Sequence, residues 1–483
     1  MRPFSGSFFV PLLLVAASCA PARQPAMSTV PADATAAGAM RPPAPAPAPA
    51  VQGMAPSGED PRIQEIAGAT SPARIERDIR RLAAFGTRHT LSDTVSRTRG
   101  IGAARRWLFD EFQRISAECG GCLEVSYVSD VVRGGTHPRI PNDVNVVNVV
   151  AIQRGRTDPG RYVVIQGHYD SRATDAMDAV SEAPGANDDA SGTAAVLEAA
   201  RVLSRYQFDG SIAYAALAGE EQGLFGGAIL AEHALSEEWQ VEGVLNNDII
   251  GNTRGIGGQM DNTTVRVFAP GIRPDASEAE LRRYLYSGGE LDTPSRQLAR
   301  YVVRTADRYL PALDAHLIYR LDRFGRGGDH TPFFLRGMPA VRLTETYEDY
   351  TRQHQDLRVE GGIRYGDVPD AVDFDYTAKV TALNATALAS LAWAPPSPRN
   401  VTIRGAVQPH TTLNWEAVRA PDLAGYRIYW RQPASATWDQ SRWVGDVTEF
   451  TLENVSIDNY FFGGAAVDRE GHESLVVFPV PGR

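Results

Sequence analysis

The sequence predicts an α/β protein, with a mixed, mostly parallel central sheet flanked by helices and a C-terminal all-β sandwich after it. Apolar runs at 162–166, 212–218, 241–245 and 340–343 read as buried strands, with helical segments to link them. Polar residues stand just past three of them: Gly-His-Tyr-Asp at 167–170, Gly-Glu-Glu at 219–221 and Asn-Asn-Asp at 246–248. Open parallel sheets bind ligands outside the carboxyl ends of their strands, so this placement suits a site on such a sheet. Near 395 the texture changes. Pro-rich punctuation at 394–398 gives way to short alternating runs at 400–403, 412–415, 426–430, 449–452, 460–467 and 475–479. Short strands at regular spacing with turn signals between them mean a β-sandwich.

The elements follow in order from the N-terminus. Arg2 precedes an apolar stretch at 8–17 that is short for a bilayer span, the pattern of an export signal. It ends in Ala16-Ala17-Ser18-Cys19, which resembles the lipobox of bacterial lipoproteins. That resemblance implies a lipidated Cys19, membrane attachment through it, and a periplasmic or outer-membrane lipoprotein. Cleavage without lipidation implies secretion. Residues 1–19 are therefore assigned to the signal. Residues 20–60 are dominated by Ala and Pro, too poor in apolar surface to offset ordering entropy, and read as a tether. The first folded domain is placed at 61–394 and the sandwich at 395–483.

Helical spacing covers 62–85 through Ile66, Ile75, Ile79, Leu82 and Phe85, and a second helix is expected near 97–115. Strand patterns at 123–132 and 144–152 come next. Between these elements lie Cys119 and Cys122. A single pair excludes a four-cysteine zinc site, and in an oxidising compartment it implies a structural disulfide, with redox chemistry as the alternative. A helix is expected at 191–203. Residues 252–325 form a long excursion with a helix near 295–309, expected in part to wall a substrate cleft. At 483 residues the chain exceeds one compact core. A net charge of −10 with no basic cluster argues against nucleic acid as a partner.

Two further stretches complete the polar set: Gly-Ala-Asn-Asp-Asp at 185–189 and Gln-His-Gln-Asp at 353–356. Together the stretches supply what a pair of metal ions needs. His168 is a nitrogen ligand, and Asp170, two residues on, can accept a hydrogen bond from its other ring nitrogen. Asp188 can bridge two ions. Glu220 and Glu221 are adjacent and diverge in an extended segment, so one can bind metal while the other carries protons. Asp248 and His354 complete the ligands. A lone His-x-Asp or Glu-Glu pair would be a solvated or salt-bridged edge. For that reason His89, His137, His233, His316, His410 and His472 are read as structural or surface residues. The joint occurrence in one order is the signal.

That order closely resembles the co-catalytic di-zinc aminopeptidases of the bacterial leucyl aminopeptidase type: His-x-Asp, Asp-Asp-Ala-Ser-Gly, Glu-Glu, Asp, Asp-His-x-Pro-Phe, His. The likeness runs from about 85 to 394. It implies two zinc ions and peptide substrates. His168 and Asp248 would hold one zinc, Glu221 and His354 the other, and Asp188 would lie between them. Glu220 would be the general base and Asp170 the orienting carboxylate. It also implies a cis peptide at 188–189, and it places the segment 329–333 along the pocket without supplying a ligand. The Gly-rich 324–328 stretch departs from relatives that carry a disulfide there, so specificity does not transfer. The last 85 residues or so, with Trp415, Gly425–Trp430 and Leu452…Tyr460, resemble a fibronectin type III domain. Alternatives are a carboxypeptidase or dipeptidase on the same site, a single-zinc glutaminyl cyclase, and a non-catalytic binding protein whose working part is the C-terminal module, of unknown ligand. Neither a Gly-x-Ser-x-Gly elbow nor a His-Glu-x-x-His helix is present.

Overall fold

A computed structural model describes residues 54–482 except 59. The export signal, Cys19 and nearly all of the tether lie outside the described residues.

Helices α1 (Pro61–Ala67) and α2 (Pro72–Ala83) each begin with proline after a capping side chain, Asp60 and Ser71. After α3 (Gly100–Glu118) the strands β1 (Leu123–Val132) and β2 (Val144–Gln153) form an antiparallel pair. Cys119 and Cys122 are disulfide-bonded between them and α3. The chain continues through β3 (Asp158–His168), α4 (Ala190–Leu203), β4 (Gly210–Leu217), α5 (Glu220–Gly223), α6 (Phe225–Ser236) and β5 (Gln240–Asn247). The 252–325 excursion contributes β6 (Thr264–Phe268), α7 (Glu278–Ser287), α8 (Pro294–Tyr309) and β7 (Asp314–Ile318). Then come α9 (His330–Leu335), β8 (Ala340–Glu345), the small pair β9 (Arg358–Glu360) and β10 (Ile363–Tyr365), and α10 (Phe374–Trp393).

The central sheet has the order β1-β2-β4-β3-β5-β8-β6-β7. Its middle, β4-β3-β5-β8, is parallel, while β1, β2 and β6 pair antiparallel at the flanks. Every residue of β4 and of β8 is buried, because helices cover both faces. That is why these strands read as unbroken apolar runs. By contrast α10 is buried along nearly all its length, so it shows no amphipathic stripe and escaped pattern reading. Its many alanines let it lie close against α4 in the main core.

The C-terminal region holds two antiparallel-dominated sheets. One runs β15 (Glu449–Leu452), β12 (Thr411–Asn414), β11 (Thr402–Arg404), β17 (Val480–Pro481). The other runs β14 (Gln440–Gly445), β13 (Leu423–Arg431), β16 (Phe461–Asp468). Val401, Leu413, Trp415, Tyr426, Ile428, Phe450, Leu452 and Phe462 fill the space between them. The expected strand at 475–479 is reduced to an isolated bridge of Val477 with Gly464. In its place the sheet gains β14, whose exposed polar first half hid it. The sandwich packs on α8 and the stretch before it: Arg304 of α8 donates to the Tyr429 hydroxyl at 2.6 Å, and Arg431 reaches Asp292 at 2.6 Å with the Arg431 and Asp292 side chains fully buried.

Candidate metal centre

Four loops at the carboxyl edge of the sheet, those after β3, β4, β5 and β8, meet here, and small residues let them. β3 delivers His168, and Gly167 before it lies so close to α4 that an added Cβ would stand 2.6 Å from the Gly192 carbonyl carbon. Asp188 enters the site through a cis peptide to Asp189, as the family likeness implied. Asp189 is a buried carboxylate that caps α4 through Gly192 N (2.9 Å) and also accepts His168 N (3.0 Å) and Ile249 N (3.2 Å). It thereby ties together the three segments that carry His168, Asp188 and Asp248. Sequence reading gave Asp189 no role, although an Asp ahead of Ala-Ser-Gly at a helix start is an N-cap signal.

After β4, Gly219 turns the chain with φ 78°, a left-handed conformation that glycine adopts without a Cβ clash. The two glutamates therefore open the short helix α5 and do not lie on an extended segment as expected. They still diverge: Glu221 joins a cluster of side chains that could hold a metal ion, and Glu220 lines the cleft. β5 leads to Asp248, and the loop after β8 brings in His354.

The geometry resolves into two triads sharing one residue. His168, Asp188 and Asp248 offer one ligand atom each within 4.8 Å of one another, and so do Asp188, Glu221 and His354. Asp188 presents Oδ1 to His168 Nε2 at 3.2 Å and Oδ2 to His354 Nε2 at 3.0 Å. His354 Nε2 is 2.9 Å from Glu221 Oε1, and His168 Nε2 is 3.9 Å from Asp248 Oδ1. All seven residues singled out from the sequence are thus in one place.

The site fits cations on three counts. His168 Nε2 is buried and makes no well-directed hydrogen bond, an orphaned nitrogen aimed at two carboxylates. The donor set is imidazole and carboxylate, the set zinc takes. The electrostatics also demand positive charge. Burial opposes protonation of His354, yet Glu221 and Asp188 raise it to about 9. Burial, together with Asp248 and Glu221, pushes the Glu220 carboxyl well above the usual range.

A surrounding set of side chains holds the donors. His168 Nδ1 lies 3.1 Å from the Asp170 backbone carbonyl and 3.4 Å from its carboxylate, so the orienting contact is to both. The Asp170 carboxylate also accepts Thr90 Oγ1 (3.0 Å), Glu220 N (3.3 Å) and Glu221 N (3.2 Å). Asp367 accepts Asp188 N at 2.7 Å, and burial raises it to about 7. Arg342 pairs with Asp248 at 2.8 Å, and Arg172 with Glu221 at 2.9 Å. Asp329 and His330 are buried behind the cleft wall and do not line it: His330 Nε2 faces the Leu321 carbonyl, and Asp329 accepts Gly227 N. The segment braces the wall instead, a correction to the expected lining role.

Asp170→Asn should weaken metal binding or activity about 10–100-fold, the usual cost of removing an orienting carboxylate. Competition with a chromophoric chelator measures this directly. Unchanged affinity in a folded variant would show that the Asp170 backbone carbonyl alone orients His168.

The profile of peptidase family M28 matches residues 148–358, the stretch that contains every donor above. A protein of Pyrenophora tritici-repentis named a probable zinc metalloprotease is 44% identical over 432 residues, 89% of each chain. One of Leptosphaeria maculans, also so named, is 46% identical over 424 residues, covering 87% of this chain and 97% of that protein. The LapA aminopeptidase of Legionella pneumophila shares the fold at 18% identity, with a TM-score of 0.50 over 71% of this chain and 78% of that one. With relatives this similar along nearly the whole described length, the chain belongs to peptidase family M28.

Proposed function

We propose that this protein is an exopeptidase that uses two zinc ions, with Glu220 as general base, to release N-terminal residues from peptides. Membership of a peptidase family and relatives named zinc metalloproteases support the coarser part, a zinc metallopeptidase. The observation that carries the finer part is Asp188, whose two oxygens face two separate histidines in two separate triads.

One ion would be held by His168, Asp188 and Asp248, and the other by Asp188, Glu221 and His354. Zinc held there would polarise the scissile carbonyl and make water a stronger nucleophile at neutral pH. Glu220 lines the same cleft but belongs to neither triad, so its carboxylate is free to move protons. It takes one from the attacking water and returns it to the leaving amine nitrogen. Asp170 fixes the start of α5 through both glutamate N–H groups, which keeps base and ligand in register. Export, with anchoring through Cys19, is part of the proposal and rests on the N-terminal sequence alone. The fibronectin-like nature of the sandwich is likewise part of the proposal and rests on the C-terminal sequence likeness.

The test is zinc content by elemental analysis together with hydrolysis of aminoacyl-p-nitroanilides before and after chelation. About two zincs per chain are expected, with activity lost on chelation and restored by added zinc. One zinc or none in folded protein would sink the two-ion mechanism. Two zincs without aminoacyl hydrolysis would move the assignment to the carboxyl end of peptides.

A further inference from the structure

The cleft over the donors has a volume of about 540 Å³. Its carboxylates are Asp188, Glu220, Glu221 and Asp248, all committed to metal or to proton transfer. Apart from His137, the remaining ionisable lining outside the ligand set is Arg139, Arg172, Arg323 and Arg326. A substrate ammonium group thus finds no spare carboxylate among the lining residues, whereas an anion finds guanidinium groups.

Two of these arginines are under-compensated. Arg139 makes no ion pair among the described residues; Nη1 donates only to the Glu221 backbone carbonyl. Arg326 is 3.4 Å from Glu348, but that carboxylate already takes Arg266 at 2.9 Å and Arg323 at 3.0 Å. The second contact of Arg326 is Gln353 Oε1 at 3.3 Å, and Gln353 in turn donates to Asp188 Oδ2 at 3.1 Å. Arg139 is therefore one backbone carbonyl from one metal donor, and Arg326 one side chain from the bridging donor. Guanidinium groups with unused donors bind carboxylates in forked geometry.

We propose that the cleft selects peptides carrying a carboxylate within about one residue of the scissile bond, and that Arg139 and Arg326 are the specificity-determining residues. The proposal rests on the peptidase reading of the site. The carboxylate is supplied either by the C-terminus of a short peptide or by an acidic side chain.

The experiment uses the zinc-loaded full chain carrying Glu220→Gln, so that binding is read without turnover. Calorimetry compares two matched peptide pairs: free acid against C-terminal amide, and a Glu against a Gln side chain. The carboxylate member of at least one pair should bind about tenfold more tightly or better. That preference should collapse in Arg139→Gln and Arg326→Gln and return only in part in Arg139→Lys, which restores the charge but not the fork. An acid-over-amide preference identifies the C-terminus as the source; a Glu-over-Gln preference identifies the side chain. Equal affinities within both pairs, or a preference that survives both Arg→Gln changes, overturn the proposal. Failure of wild-type protein to hydrolyse any peptide would instead defeat the peptidase reading and leave these binding ratios to decide on the arginines separately.

Discussion

Glu220→Gln should lower kcat by roughly 10²–10⁴-fold, the usual contribution of a positioned general base, while zinc content stays at the wild-type level. The change swaps one carboxylate oxygen for an NH₂ group of the same shape, so packing is retained. The backbone at this position is held from outside, since Glu220 N and Glu221 N both donate to Asp170. Glu220 is absent from both donor triads, so the amide takes nothing from the metals. Its neighbour behaves differently. Glu221 lies 2.9 Å from His354 and within a triad, so Glu221→Gln should lose activity and metal together. Parallel measurement of kcat and zinc content on the two variants separates the roles. If Glu220→Gln sheds zinc, or retains more than a tenth of the activity, Glu220 is not the base.

What could be read from the sequence follows from where each residue acts. The donors were legible because a parallel sheet puts chemistry just past its strand ends, and those strands are buried on both faces: β4 and β8 are unbroken runs of buried residues. The supporting residues were not legible. Asp367 meets Asn187 and Asp188 across about 180 positions, and Arg342 reaches the Asp248 carboxylate only because β5 and β8 are paired. No local pattern encodes such contacts. The glutamate pair shows a third case. Residue types and adjacency predict that the two side chains diverge, and they do, one within a triad and one only in the cleft, but Gly219 starts a helix where an extended segment is expected. The site was thus visible from side-chain chemistry even where its local conformation was not.

Asp292→Ala should destabilise the protein by about 3–5 kcal/mol, because it leaves buried charge without its partner. Asp292 sits in the stretch before α8 with its side chain fully buried. It pairs with Arg300 of α8 at 2.9 Å and with Arg431 of β13 at 2.6 Å, and those guanidinium groups are 2% and 0% exposed. Removing the carboxylate strands two cations in a site that water does not reach. Removing either arginine would leave the other pair intact, so the carboxylate is the sensitive position. The exposed pair Arg62–Glu470 provides the control: Glu470 is 58% exposed, and Glu470→Ala should change stability by about 1 kcal/mol or less. Urea midpoints measured at constant slope test both. A small effect at Asp292 would mean that the joint between α8 and the sandwich is wet in solution. A large one would make the sandwich part of what keeps α8 folded, because Arg431 belongs to it. A chain cut near 394 would then lose activity through instability alone, and its inactivity would say nothing about whether the sandwich binds a ligand.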